Sequence, residues 1–351
     1  MNQRIIKILI PLLITTVFLC GCTAKEPAPA GDFQQLNAYQ ETYLSLFDTV
    51  TIVKGYAVDE KTFQESLEPF YEEFLLCHEL FDIYEDYANL PNIKTINDKA
   101  GAEAVKVDDR IVSLLLFCRE MYEVTGGAVD VTLGPVLSLW HDAREVGEAN
   151  PEKAYIPDMD ELKAALEHCG IDKLVIDEEA STVMLTDSEA KLDVGAIAKG
   201  YAIQRASEKL PEGYLISVGG NVLTTGGKEG GDTPWVIGIQ DPNGSADSFI
   251  EKVSLVKGSV VTSGDYQRYY TVDGKNYHHI IDPETLMPST YWRGVTILCD
   301  DSGLADALST ALFLMDKESG EKLVLSQGAE ALWIDEEGNE YYTDGFKERL
   351  K

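Results

Sequence analysis

The chain has 351 residues, 44% of them hydrophobic, and carries 60 acidic against 29 basic side chains for a net charge of −31. That length can bury a sizeable core in one large domain or two smaller ones. Such an acid excess excludes nucleic acid as a partner and requires a metal cation or a local basic group at any anion site.

Arg4 and Lys7 precede an apolar stretch over 8–18, which is too short to span a bilayer comfortably. Leu19-Cys20-Gly21-Cys22 follows and looks like the lipobox of bacterial lipoproteins. The sequence therefore predicts a lipoprotein signal peptide over 1–21, lipidation at Cys22 and a polar, Pro/Ala-rich tether over 22–40. The remaining 41–351 reads as one unit, anchored to a bacterial membrane and facing the periplasm or the cell exterior. Cys77, Cys118, Cys169 and Cys299 have no zinc-ligand spacing and sit in apolar or helical surroundings, so they read as buried thiols.

Residues 47–53 alternate towards a strand. Helical spacing runs over 61–84 through Phe63, Leu67, Phe70 and Phe74, then over 108–124 and 158–169. Short strands at 173–177 and 183–185 lead to a helix from about 197 to 210. Beyond Tyr214 the pattern turns to β, with strands at 214–218, 235–240, 250–256, 259–262, 269–272, 277–281 and 295–299. A helix over 302–315, another near 319–327 and a strand pair at 331–334 and 340–342 complete the chain. Helices gather first and strands second, which predicts an α+β fold with an extensive, largely antiparallel sheet and flanking helices.

The 302–315 helix is apolar all round, through Leu304, Ala305, Ala307, Leu308, Ala311, Leu312, Phe313 and Leu314, so it is buried. Asp306 and Thr310 lie one turn apart on one face. A buried carboxylate is costly unless paired or ligating. Either Asp306 accepts backbone hydrogen bonds from a neighbouring loop, or the pair offers hard oxygens to magnesium or calcium.

Three other segments carry chemistry. In Thr125-Gly126-Gly127-Ala128-Val129-Asp130-Val131-Thr132-Leu133-Gly134-Pro135, one glycine suffices to end a helix, and the others imply a longer shaped loop. In Leu192-Asp193-Val194-Gly195-Ala196-Ile197-Ala198-Lys199-Gly200-Tyr201, a turn opening onto a helix presents free N–H groups to an anion, with Lys199 adding charge; a plain capped helix with a solvated lysine is the alternative. In Tyr277-His278-His279-Ile280-Ile281-Asp282-Pro283, adjacent histidines on a strand point to opposite faces, so at most one enters any given site as a proton carrier. The polar turn from Thr262 to Arg268 could bind a ligand or simply reverse the chain.

These segments, with ISVGGN, WVIGIQDP, VVTSGDYQR and ADALSTALF, stand in the order in which the ApbE family, the FAD:protein FMN transferases, carries them, and roughly residues 44–315 resemble it. The resemblance implies that FAD is bound with its pyrophosphate beside Mg²⁺, and that FMN passes to a Ser or Thr hydroxyl of an extracytoplasmic acceptor flavoprotein while AMP leaves. By the family pattern, Mg²⁺ is held by the Asp306 and Thr310 side chains and the Ala196 backbone oxygen. Asp193 and Lys199 contact FAD, Ala128, Val129 and Asp130 line its cleft, and Phe47 and Tyr84 pack on it. His279 matches the general base, with Ile280 beside the ligand. Two departures stand out: Phe47-Asp48-Thr49 replaces Met-Gly-Thr, and Leu286 stands where glycine is usual. An FAD pyrophosphatase, with water replacing the acceptor hydroxyl, and a non-enzymatic flavin-binding lipoprotein are the competing readings.

Overall fold

The computed structural model describes residues 36–245 and 248–351. The expected signal peptide, Cys22 and the tether up to residue 35 lie outside the described residues.

Strands β1 (Asn37–Leu46) and β2 (Thr49–Ala57) form an antiparallel hairpin. Strand therefore begins inside the expected tether, because residues 37–40 gain backbone partners in β2, from Asn37↔Ala57 to Gln40↔Lys54. Phe47 and Asp48 form a two-residue turn with φ of 52° and 53°, which matches the twist of the flanking strands. Phe47 thus belongs to a turn and not to the strand expected from it.

Helix α1 (Glu60–Phe81) starts at Asp59, whose side chain accepts the Thr62 N–H at 2.8 Å, and buries Phe63, Leu67, Phe70, Phe74 and Cys77. It is followed by α2 (Ile93–Asp98), β3 (Val105–Lys106) and α3 (Asp109–Val124), which is capped by Asp108. Next comes a helix the sequence reading did not expect, α4 (Gly134–Ala149). Gly134 and Pro135 open this helix instead of shaping a loop, since proline in a first turn costs no hydrogen bond. A Cβ on Gly134 would lie 2.4 Å from the Lys191 carbonyl, so its close approach is to backbone. Then follow α5 (Met159–Leu166), β4 (Leu174–Asp177), β5 (Thr182–Leu185) and α6 (Ala198–Ser207).

The second half supplies β6 (Leu215–Val218), β7 (Asn221–Thr224), β8 (Trp235–Gln240), β9 (Phe249–Leu255), β10 (Gly258–Gly264), β11 (Tyr269–Val272), β12 (Lys275–His278) and β13 (Gly294–Cys299). It ends with α7 (Ser302–Phe313), α8 (Lys317–Ser326), β14 (Glu330–Ile334), β15 (Glu340–Tyr342) and α9 (Asp344–Lys347). The main sheet has the order β1-β2-β6-β7-β10-β13-β14-β15, and every adjacent pair is antiparallel. The fold is α+β.

Alternate residues of each strand serve two cores. Val53, Ile216, Val261, Ile297 and Trp333 face the core that takes in α1, α3, α6 and α7. Leu215, Val260, Leu298 and Leu332 face a smaller core closed by Trp235, Ile237 and Ile239 of β8 and by Phe346 of α9. All four described cysteines are free thiols; Cys77 and Cys118 are buried, and burial pushes the Cys77 thiol up to about 12. Among the described residues, no helix is long and apolar enough to cross a membrane.

Candidate functional site

The helix read as buried is buried: α7 is capped by Asp301, which accepts the Leu304 N–H at 2.8 Å, and Asp306 is only 4% exposed. Helix α6, which crosses it, has Ile197 at its N-cap and no side-chain cap of its own. Asp306 supplies one from outside, its Oδ2 accepting the Gly200 N–H at 2.8 Å, where the dipole favours negative charge. The approach needs a glycine, because a Cβ at position 200 would stand 2.2 Å from the Ser302 carbonyl oxygen and 2.5 Å from Asp306 Cβ.

That hydrogen bond realises the first alternative for Asp306, the backbone partner, for one oxygen only. Among the described residues no donor reaches Oδ1, and Asp306 lines a cleft together with Thr310 and Ala196. A hydroxyl, a backbone carbonyl and a half-satisfied carboxylate form a hard-oxygen set that suits magnesium. Among the described residues no three His, Cys, Asp or Glu side chains gather as a metal cluster, so a cation here depends on those neutral oxygens.

The cleft measures about 790 Å³, within the range of small-molecule sites. Phe47, Tyr84, Ala128, Val129, Asp130, Asp193, Lys199, His279 and Ile280 line it beside the three residues just named. All twelve non-terminal candidates from the sequence therefore share one cavity, although they span the chain from residue 47 to residue 310.

Each acid on the walls is held locally. Asp193 donates its N–H to the Val131 carbonyl at 2.8 Å, and its Oδ1 accepts the Gly195 N–H at 2.9 Å. Burial pushes its carboxyl up, opposed by that N–H and by His141, Arg144 and Lys199 nearby. Asp130 Oδ1 accepts from the Thr132 N–H and hydroxyl at 2.7 and 2.6 Å, and burial raises this carboxyl too. Lys199 Nζ, in the first turn of α6, donates to the Gly195 carbonyl at 3.3 Å.

The two histidines separate as their alternation requires. Strand β12 ends at His278, so His279 sits just past it instead of inside the longer strand expected. His278 is buried, with Nε2 donating to the Ser289 carbonyl at 2.8 Å and Nδ1 accepting the Ile280 N–H at 3.2 Å, which makes it structural. His279 faces the cleft. Its Nδ1 lies 3.3 Å from the Arg268 carbonyl oxygen, which can only accept, so Nδ1 carries the proton and Nε2 keeps a lone pair. Burial, with Arg268, His278, Lys199 and Arg144 adding positive charge, pulls its pKa down to about 3.

The rings are placed too. Tyr84 stacks on His141 with centroids 5.2 Å apart, and burial pushes its phenol up to about 12. Phe47 packs on Phe74 at 4.9 Å and donates its N–H to His78 Nδ1 at 3.3 Å. Both departures from the family pattern keep a left-handed backbone without glycine, at φ 53° for Asp48 and 61° for Leu286. Leu286 is buried, and its carbonyl accepts the Trp140 indole N–H at 2.9 Å, an anchor that offsets a cost of roughly 1 kcal/mol.

Sequence reasoning missed His141 and Arg144 on α4, and His78 on α1, all lining the cleft. The available signal was α4 itself, where Val136, Trp140, Ala143 and Gly147 bury at helical spacing after Pro135. It also missed Asn97, whose carboxamide pins the Leu192 backbone through two hydrogen bonds of 2.7 and 3.0 Å.

Residues 49–333 match the model of the ApbE family. An FAD:protein FMN transferase from Treponema pallidum is 35% identical over 260 residues, covering 69% of this chain and 70% of its own. Another from Vibrio cholerae is 28% identical over 343 residues, or 95% and 96% of the two chains. The crystal structure of an ApbE protein from Thermotoga maritima superposes with a TM-score of 0.78 at 34% identity, covering 90% of this chain and 100% of that one. The flavin transferase ApbE from Vibrio cholerae superposes at 0.72 with 26% identity over the same shares. With the family match spanning residues 49–333 and the fold shared over 90% of the chain, this protein belongs to the ApbE family.

Proposed function

We propose that the protein is an FAD:protein FMN transferase, moving the FMN half of FAD onto a Ser or Thr hydroxyl of an acceptor flavoprotein and releasing AMP. The observation that carries this reading is the convergence of the motif residues on one cleft that holds a neutral histidine and a half-satisfied buried carboxylate.

In the reaction, the acceptor oxygen attacks the FMN phosphorus, the P–O bond to AMP breaks, and AMP leaves with the negative charge. The acceptor's proton passes to Nε2 of His279, a step worth about 10²–10⁴-fold in rate. Arg268, Lys199 and Arg144 help to depress that imidazole, so an anionic diphosphate among them would offset their charge and raise its basicity. Asp306, Thr310 and the Ala196 carbonyl would hold Mg²⁺, which when bound neutralises diphosphate charge and stabilises its displacement. Phe47 and Tyr84 offer ring faces to the flat heterocycles. The lipobox further suggests that the enzyme works outside the cytoplasm on a lipid anchor at Cys22; loss of membrane association in Cys22→Ser tests this.

The test incubates protein, FAD and MgCl₂ with and without a Thr-bearing acceptor flavoprotein. The transferase gives gel-stable flavin fluorescence on the acceptor and acceptor-dependent AMP. Free FMN and AMP without acceptor would mean a pyrophosphatase, and binding without turnover a flavin carrier.

A further inference from the structure

The cleft belongs to a chain with a large acid excess, yet it contains two arginines that no carboxylate clamps. Among the described residues Arg268 has no ion-pair partner, and Arg144 has only Glu148, 3.9 Å away. Arg144 is nevertheless well placed: its side chain is 17% exposed, and Nη2 donates to His141 Nδ1 at 2.9 Å. His141 can accept there because its Nε2 faces Glu145 at 3.3 Å and is itself braced by the Tyr84 stack. Accepting through a ring nitrogen, His141 fixes the guanidinium without placing a carboxylate on it. Three of the acids that line the cleft are held by local donors. Asp82 accepts the Tyr84 N–H and the Tyr87 hydroxyl, Asp130 is held by Thr132, and Asp193 by Gly195. Arg144 and Arg268 line the same cleft as Tyr84 and His279, so both guanidinium groups border the space around the proposed base.

We propose that Arg144, steered by His141 and joined by Arg268, forms an anion-binding edge of the cleft that holds the diphosphate of the dinucleotide and makes the site prefer FAD to riboflavin. The planar fork of arginine suits phosphate oxygens better than a lysine would. The inference rests on the flavin transferase reading for its ligand but not for its chemistry, which concerns a diphosphate alone.

The test measures binding of FAD, riboflavin and ADP to the full chain, with and without MgCl₂, in wild type, Arg144→Gln and Arg144→Lys. Arg144→Gln should weaken FAD and ADP at least about tenfold and leave riboflavin unchanged, with Arg144→Lys between; Arg268→Gln should follow in the same direction. Equal loss of FAD and riboflavin would mean that Arg144 only supports the fold, and unchanged FAD and ADP affinities would mean that it touches no phosphate; either overturns the proposal. Arg144-dependent binding of ADP without any binding of FAD would uphold the anion edge and sink the flavin reading instead.

Discussion

Replacing Gly200 by alanine tests the link on which the candidate metal site depends. The added methyl would sit 2.2 Å from the Ser302 carbonyl and 2.5 Å from Asp306 Cβ, so α6 and α7 must part by roughly an ångström to admit it. Over-packing of this kind costs about 1–3 kcal/mol. Parting the helices also stretches the 2.8 Å bond from the Gly200 N–H to Asp306, a charge-assisted bond worth about 1.5–3 kcal/mol. Alanine returns about 1 kcal/mol through its better helix propensity, leaving a net loss of about 1.5–5 kcal/mol. Urea unfolding of both proteins reads the stability, and a magnesium titration of AMP release reads the site. We expect a lower unfolding midpoint with an unchanged slope, and a magnesium requirement raised at least tenfold. A variant within about 0.5 kcal/mol of wild type with an unaltered magnesium response would refute the reasoning, since the helices could not then be in this contact.

Further outcomes follow from three single side chains. Asp306→Asn keeps an acceptor for Gly200 and should fold normally while losing magnesium-dependent turnover, whereas Asp306→Ala strands a buried N–H and should cost about 1–3 kcal/mol in denaturant unfolding. His279→Ala should lower kcat by about 10²–10⁴-fold. Because His279 is depressed from 6.5 to about 3, the unfolded chain binds a proton between those pH values that the folded chain does not. Wild type therefore loses stability as pH falls through that window, so its thermal midpoint relative to that of His279→Ala should be lower at pH 4 than at pH 7; a wild-type advantage that widens at pH 4 contradicts this. Glu73 is buried between Arg110, at 2.9 Å through both oxygens, and Arg205, which together hold its carboxyl at about 2. Glu73→Gln should cost about 3 kcal/mol at pH 7. That difference should shrink as pH falls from 4.5 towards 2, where wild type protonates; an acid-independent difference would assign the loss to packing.

Much of this was legible where burial is periodic. The ring of apolar residues in 302–315 marked α7 as buried, and Asp306 inside it as a group needing a partner. The two partners weighed there are compatible, because a carboxylate has two oxygens and Gly200 uses one. Periodicity could not show that Phe47, Asp193, His279 and Thr310 meet, since their segments are joined only by the sheet order; that expectation came from family motifs. Strand β1 was missed because its half-buried face carries Glu41 between Tyr39 and Tyr43 while its exposed face carries Leu44, so the residue types do not follow the alternation of burial. Strand β7 is four residues between glycine pairs, too short for a pattern. The loss of α4 had the largest effect on the site. Reading Gly134-Pro135 as a loop rather than a helix start hid His141 and Arg144 along with it.

The turn at Phe47 and Asp48 joins the outermost strand of the main sheet to its only neighbour there, β2. An edge hairpin has backbone partners on one side alone, and its tip is held in a left-handed conformation that glycine would adopt more cheaply. Local opening of a fold begins where fewest bonds must break. The cleft therefore takes one lining ring from an edge turn and its buried acid from α7 in the core. The chain thus builds a single cleft from its least and its most enclosed elements, the edge turn at Phe47 and the helix that carries Asp306.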